Sequence, residues 1–443
     1  MLNIFFMKLS KYTKLFTEEK HFFVYNSLSN YFGEISQSLY QLLGKGKNDN
    51  NVFDAIEKGE FLDKLFEKKI ITNSDEEDVL HFKSIIKNQR RMNNVLVITI
   101  APTMDCNFSC PYCFENKKKG NMKDENIQRI VNFINSHNNI DTLNITWFGG
   151  EPLLAPHIIE NISKQIDKQK FRNINASIIT NGYFFTRENI ELLKYCNVKQ
   201  IQISIDGMSE NHNKVKYTTT DKNTFATIIH NLDNFDKMSD TGMQICIRVN
   251  ISKKNENDFL KVYDFFKKRY HHNNISIVPA FVMSTTKNHG EKSNLFISNM
   301  DKFLFCKKVF MRTHDIRLIF PCDDITECAV RNNNSWVFDA EGNVYKCWEV
   351  IGHQEYKVGE IRGNGEIYIT NTTLLNKYLY GADPFEDSTC QNCFSLPICK
   401  GGCPHKRIEN KFNNGHFFHC TPWHNQWENY LSLRYIFEQE FIE

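Results

Sequence analysis

Three thiols stand within eight residues of one another in "CNFSCPYCFE" (106–115): Cys106, Cys110 and Cys113, spaced Cys-x3-Cys-x2-Cys. Thiolates bind zinc and iron–sulfur clusters well, and both a tetrahedral zinc and a four-iron cluster ask for four ligands. The triplet is one ligand short. Either a distant side chain such as His137 or Cys196 completes a zinc knuckle, or the fourth position stays open to something other than protein. A second crowd lies toward the C-terminus: Cys322, Cys328, Cys347, Cys390, Cys393, Cys399, Cys403 and Cys420. Cys196, Cys246 and Cys306 stand alone, as small buried hydrophobes do.

Clustering of this kind among 14 cysteines points to metal binding in a reducing compartment rather than to disulfides. The rest of the composition agrees. A formal net charge of +2 on 443 residues gives no electrostatic case for nucleic acid or a membrane surface. The opening "MLNIFFMKLSKY" is too short an apolar run for a signal peptide, and no small-residue cleavage site follows it. No stretch approaches the roughly 18 apolar residues of a membrane helix. A cytoplasmic location is expected, and the length suffices for two or three domains.

The elements that must position these thiols are legible between residues 94 and 282. Strand-like runs fall at 94–102, 142–150, 175–180, 198–207, 243–252 and 274–282, with helical periodicity between them at 123–137, 155–169, 186–195, 223–239 and 255–270. Single helices between strands mean parallel pairing with right-handed crossovers, so the six units predict a partial (β/α)6 TIM-like barrel of the α/β class. Active sites of such barrels lie at the C-terminal ends of the strands. The cysteine triplet follows the first strand. "WFGGEP" (147–152) follows the second, where Gly149 and Gly150 permit close backbone approach and Glu151 adds a carboxylate, although Gly-Gly-Glu-Pro alone is merely a good turn. "TNG" (180–182) is a common turn signal. "SIDG" (204–207) places Ser204 and Asp206 at the fourth strand end, where Asp206 could equally cap a helix. "RVN" (248–250) ends the fifth strand with Arg248, a guanidinium suited to a carboxylate or to a surface ion pair.

This order of motifs resembles the radical S-adenosylmethionine (SAM) superfamily. The resemblance implies that SAM completes the cluster of Cys106, Cys110 and Cys113 through its amino and carboxylate groups, and that one electron then releases a 5′-deoxyadenosyl radical. It places Gly149, Gly150 and Glu151 near the methionine ammonium, Ser204 at the SAM ribose or carboxylate, Asp206 beside it, and Arg248 on the carboxylate. The C-terminal spacing, Cys328-x13-Gly342-x4-Cys347 then Cys390-x2-Cys393-x5-Cys399-x3-Cys403 then Cys420, is similar to the SPASM extension in every interval. By resemblance to the sulfatase maturases, Cys322, Cys328, Cys347 and Cys403 hold one auxiliary cluster and Cys390, Cys393, Cys399 and Cys420 the other, making three 4Fe–4S clusters in all. A pair of zinc ribbons is the rival. Auxiliary clusters with every iron ligated by protein suit electron transfer better than substrate ligation. "WVFDAEGNVYKC" (336–347) predicts a hairpin turning at "AEGN".

The first ninety residues pattern as strands then helices, a winged-helix-like α+β unit. The unit resembles precursor-peptide recognition domains, which bind a leader peptide as an added strand; a purely structural cap is the alternative. Glu57, Glu60, Asp63 and Glu67 argue against a DNA-binding winged helix. The expected organisation is residues 1–92 for peptide recognition, 93–310 for the barrel and 311–443 for the Cys-rich SPASM domain. The expected function is radical modification of a ribosomally synthesised precursor peptide, giving an intramolecular thioether or carbon–carbon crosslink. Electrons would come from a low-potential flavodoxin- or ferredoxin-type donor. The runner-up is a formylglycine-forming sulfatase maturase; a non-catalytic metal-binding scaffold is the alternative from another class. No single side chain stands out as catalytic acid or base.

Overall fold

A computed structural model of the chain describes residues 7–441, apart from 54–55, 57–58, 239–240, 271–274, 284–294 and 319–326. Cys322 and Glu57 therefore lie outside the described residues. The chain forms two compact units: residues 91–297 with 329–381, and residues 1–90 with 298–328 and 382–443.

The first unit contains the expected parallel sheet. Its strands are β1 (Val95–Ile100), β2 (Thr142–Trp147), β3 (Asn173–Thr180), β4 (Val198–Ile205), β5 (Gln244–Ile251) and β6 (Ile275–Phe281). They pair in sequential order, each parallel to the next. The crossovers carry α1 (Asp124–Asn135), α2 (Pro156–Gln165), α3 (Arg187–Tyr195), α4 (Ser209–Val215), α5 (Thr224–Asp236) and α6 (Phe259–Arg269). α1 shows why these segments are helical: Ile127, Ile130, Val131 and Ile134 repeat at helical spacing and are all buried. The strands alternate instead. In β2, Leu143, Ile145 and Trp147 are buried while Thr142, Asn144 and Thr146 are partly accessible. The short α4 lacks an apolar stripe, and the sequence pattern did not indicate it; its buried member is His212.

The expected hairpin forms between β7 (Ser335–Phe338) and β8 (Asn343–Tyr345). Gly342 takes φ +83° at the turn, while Asp339 accepts from the Glu341 and Asn343 amides, both at 2.9 Å, and from the Tyr345 hydroxyl at 3.1 Å. Unanticipated is its place: β7 pairs in parallel with β1, Val337 opposite Thr99, and β9 (Gly359–Ile361) and β10 (Ile367–Ile369) continue the sheet antiparallel.

The second unit begins with the antiparallel strands Thr13–Glu18, His21–Asn26 and Tyr31–Ile35, followed by helices Gln37–Lys45, Glu60–Glu67 and Asp75–Arg90. Leu15, Val24, Leu43, Leu62 and Leu65 form their core. A second core joins Tyr12, Phe82 and Ile86 to Phe385 and Leu396. At the end of helix Asp75–Arg90, the Arg90 guanidinium bridges Glu327 (2.8 Å) and Asp383 (2.6 Å). The first ninety residues and the C-terminal stretch thus share one interior.

Candidate functional site

The loops after β1, β2 and β3 and the C-terminal ends of β4 and β5 of the first unit meet around a cavity of about 280 Å³. Cys106, Cys110 and Cys113 line it, together with Gly149, Gly150, Ser204 and Arg248. Residues separated by more than a hundred positions in the sequence are brought together there.

The cysteine loop is held from within and from three strand ends. The Cys106 amide donates to Asp105 Oδ1 (2.8 Å) and the Cys113 amide to the Cys110 carbonyl (3.1 Å). Burial pushes the Cys106 thiol up to about 12 and Cys113 up to about 11; a bound metal centre reverses that balance by favouring thiolate. Gly149 and Gly150, at φ +80° and +46°, let the chain after β2 lie directly on this loop. A Cβ on Gly150 would overlap the Asp105 carbonyl, and the Glu151 amide donates to the same oxygen at 2.8 Å.

Glu151 itself is fully buried and is not part of the cavity lining. Its carboxylate accepts from the Leu153 amide (3.0 Å), the Thr180 hydroxyl (2.7 Å) and the Asn181 amide (2.7 Å). It ties the loop after β2 to the end of β3. "TNG", which reads as an ordinary turn, is part of the same frame: the Asn181 side chain donates to Asn107 at 2.8 Å inside the cysteine loop. Two carboxyls do line the cavity, Glu115 and Glu349; Glu115 accepts from the Gly150 amide and is pushed up to about 7 by burial.

Ser204 and Arg248 face each other in register across β4 and β5. The ammonium of Lys216, a buried residue just after α4, donates to the Ser204 carbonyl (2.6 Å) and hydroxyl (2.8 Å) and pairs with Asp206 at 3.1 Å. Asp206 is buried outside the lining and accepts from the Tyr112 hydroxyl at 2.5 Å, anchoring the cysteine loop to β4. Asn250 donates to the same hydroxyl at 3.1 Å. Arg248 differs from all of these: among the described residues its guanidinium makes no hydrogen bond, yet it lines the cavity. Lys216, Tyr112 and Glu115 were not anticipated. Tyr112 and Glu115 carry a hint in their place within the triplet's loop; Lys216 carries none.

Aromatic rings close the cavity on one side, where Phe148 stacks on Phe114 (6.4 Å) and on Trp348 (5.7 Å). The donor set therefore suits a SAM-loaded cluster: three thiols, a guanidinium that makes no hydrogen bond among the described residues and feels the charge of Glu349, and a glycine backbone that admits a ligand. Among the described residues no three His, Cys, Asp or Glu side chains gather tightly enough to hold a single metal ion.

In the second unit, burial raises Cys420 to about 11, reinforced by the nearby thiols of Cys399, Cys390 and Cys393. Arg407 donates to Cys390 Sγ at 3.1 Å and to Asp387 at 2.8 Å. Of the other expected set, Cys328 and Cys403 belong to this unit and Cys347 to the first.

Residues 100–266 match the radical SAM superfamily. The chain is 25% identical over 357 residues to the cysteine-type anaerobic sulfatase-maturating enzyme of Clostridium novyi, covering 73% of this chain and 91% of that one. It is 26% identical over 267 residues to the radical SAM cyclopropyl synthase TigE of Paramaledivibacter caminithermalis, covering 53% and 55%. Among solved structures, anSMEcpe with bound AdoMet and Cp18Cys peptide aligns with TM-score 0.60 at 18% identity, over 77% of this chain and 97% of that one. Streptococcus suis SuiB bound to its precursor peptide SuiA aligns with TM-score 0.51 at 15% identity, over 94% and 99%. Both structures share the fold. With the matching model, the motifs at their strand ends and the thiols on one cavity, residues 100–266 form a radical SAM domain, and the chain is an enzyme built around it.

Proposed function

We propose that the enzyme modifies a ribosomally synthesised precursor peptide, forming an intramolecular thioether or carbon–carbon crosslink. The observation that carries the catalytic half of this reading is the convergence on one cavity of three thiols and a guanidinium that makes no hydrogen bond among the described residues. Cys106, Cys110 and Cys113 hold the 4Fe–4S cluster, Arg248 and Ser204 receive the SAM carboxylate, and the Gly149–Gly150 backbone lies at its ammonium. Bound together, the reduced cluster and SAM supply a 5′-deoxyadenosyl radical. Phe148 and Trp348 keep water from that centre, while Lys216 and Asp206 hold Ser204 and Tyr112 in place. Cys390, Cys393, Cys399 and Cys420 hold an auxiliary cluster, and a flavodoxin- or ferredoxin-type protein donates electrons.

The peptide half is supported by extent of likeness. SuiB, which binds a precursor peptide, aligns with 94% of the chain, whereas anSMEcpe leaves nearly a quarter of it unmatched. A maturation protein, SkfB of Bacillus subtilis, is 25% identical over 169 residues. The strand Tyr31–Ile35 forms an outer edge of its sheet and offers main-chain groups to a leader peptide. The second reading, formylglycine formation, is favoured by the 91% coverage of the C. novyi enzyme. Anaerobic incubation of reduced, cluster-loaded enzyme with SAM and any short peptide encoded beside its gene separates the two. Loss of two hydrogens per event, with linked residues in fragmentation, supports the crosslinking reading. An unchanged peptide, with a sulfatase-type Cys or Ser peptide converted to the aldehyde, transfers the assignment to the second.

A further inference from the structure

The inner face of the parallel sheet is polar, where the strands of a parallel sheet ordinarily read as continuous apolar runs. Strand register sets its side chains in rows. Thr146, Ser177, Gln200 and Gln244 stand next to one another across β2 to β5. Gln202 and Cys246 form the next row, and Ser204 and Arg248 of the SAM cavity the row after that. Successive rows are two residues apart, roughly 6.6 Å along the strands. The two lower rows line a second cavity of about 370 Å³, which shares Ile179, Gln202 and Trp348 with the first.

The chemistry of this chamber is specific. Among the described residues, none that lines it is charged. Some polar groups on the same face satisfy one another: Asn175 donates to Asn144 at 2.9 Å, and the hydroxyls of Thr146 and Ser177 lie 3.0 Å apart. The side-chain amides of Gln200, Gln202 and Gln244 make no hydrogen bond among the described residues. Each presents one acceptor and two donors, the complement of a peptide unit. Among the described lining residues a phosphorylated or carboxylated ligand would find no cation, and an ammonium no anion.

We propose that this chamber holds the peptide segment undergoing modification: an extended, uncharged stretch whose main-chain N–H and C=O groups pair with Gln200, Gln202 and Gln244. The proposal rests on the reading of the enzyme as a peptide modifier and adds where, and by which groups, the reacting segment is bound. Specificity in the chamber then comes from excluding charge rather than from matching it, because an unpaired charge there would lose its water without gaining a partner.

The test uses cluster-loaded enzyme, SAM and any short peptide encoded beside the gene, comparing wild type with Gln200→Met/Gln244→Met, which keeps side-chain volume and removes the amides. Neither residue lines the SAM cavity. The expected result is a KM for the peptide raised roughly tenfold, with iron content and thermal midpoint retained; a KM within about twofold of wild type overturns the proposal. Should the double variant lose iron, wild-type enzyme decides, given peptides with Lys or Asp in place of the uncharged neighbour of the modified residue. A fall in kcat/KM of roughly a hundredfold is expected, and undiminished turnover overturns the proposal. An unmodified native peptide with wild-type enzyme counts against the peptide-modifying reading itself, and the proposal falls with it.

Discussion

Glu151 and Arg248 both stand in strand-end motifs, and their surroundings give them opposite work. Glu151 is sealed from solvent with three donors on its carboxylate, so Glu151→Ala strands the Thr180 hydroxyl and two amides. A loss of about 3 kcal/mol is expected, read as a fall in thermal midpoint. Arg248 has no hydrogen bond to lose among the described residues, so Arg248→Met should keep the wild-type midpoint and weaken SAM binding about tenfold or more by calorimetry. Equal SAM affinity in that variant would remove Arg248 from the carboxylate site. His212 adds a pH dependence. Burial, then the Lys216 ammonium, hold its imidazole well below the usual range, and its Nδ1 accepts from the Asp206 amide at 3.3 Å. The unfolded chain therefore binds the proton more readily, and stability is lost as pH falls below about 6.5, by at most about 1.4 kcal/mol per pH unit. Thermal midpoints between pH 7.5 and 5.5 should fall more steeply for wild type than for His212→Gln; parallel profiles would contradict this.

At the scale of elements, the helix Asp75–Arg90 matters for more than its own domain. Its last residue is clamped between two buried carboxylates, Glu327 and Asp383. Arg90→Met leaves both without their main counter-charge, and a destabilisation of about 3–5 kcal/mol is expected from denaturant unfolding; a change under about 1 kcal/mol would mean that the cluster is relieved by water. The edge strand Tyr31–Ile35 is the expected leader site, so leader peptide should slow amide exchange there, and unchanged exchange would remove it from that role. Much of this was readable in advance, for physical reasons. Six strands with an amphipathic helix in each crossover, a hairpin with its glycine, and thiols just past a strand end all leave local periodicity or spacing, whereas the extra short α4 leaves none. The parallel pairing of β7 with β1 and the core shared by Tyr12, Phe82, Phe385 and Leu396 leave none, since they depend on contacts between distant segments. Lys216 was illegible for the same reason: what gives it a role is Ser204 and Asp206 beside it in space.

The whole molecule is an α/β barrel unit bearing the cavity proposed for SAM and a second unit in which the first ninety residues share an interior with a Cys-rich stretch. No described helix is long and apolar enough to cross a membrane. Because the triplet lines one cavity of the barrel unit while Cys390, Cys393, Cys399 and Cys420 belong to the other, the enzyme's metal centres should be separable. The decisive measurement is iron content and 5′-deoxyadenosine yield in the Cys106→Ala/Cys110→Ala/Cys113→Ala variant, reconstituted and reduced beside wild type. The expected result is complete loss of SAM cleavage with about four irons per chain missing and the remainder retained. Retained SAM cleavage would contradict the assignment of the triplet, and loss of all iron would contradict the independence of the centres.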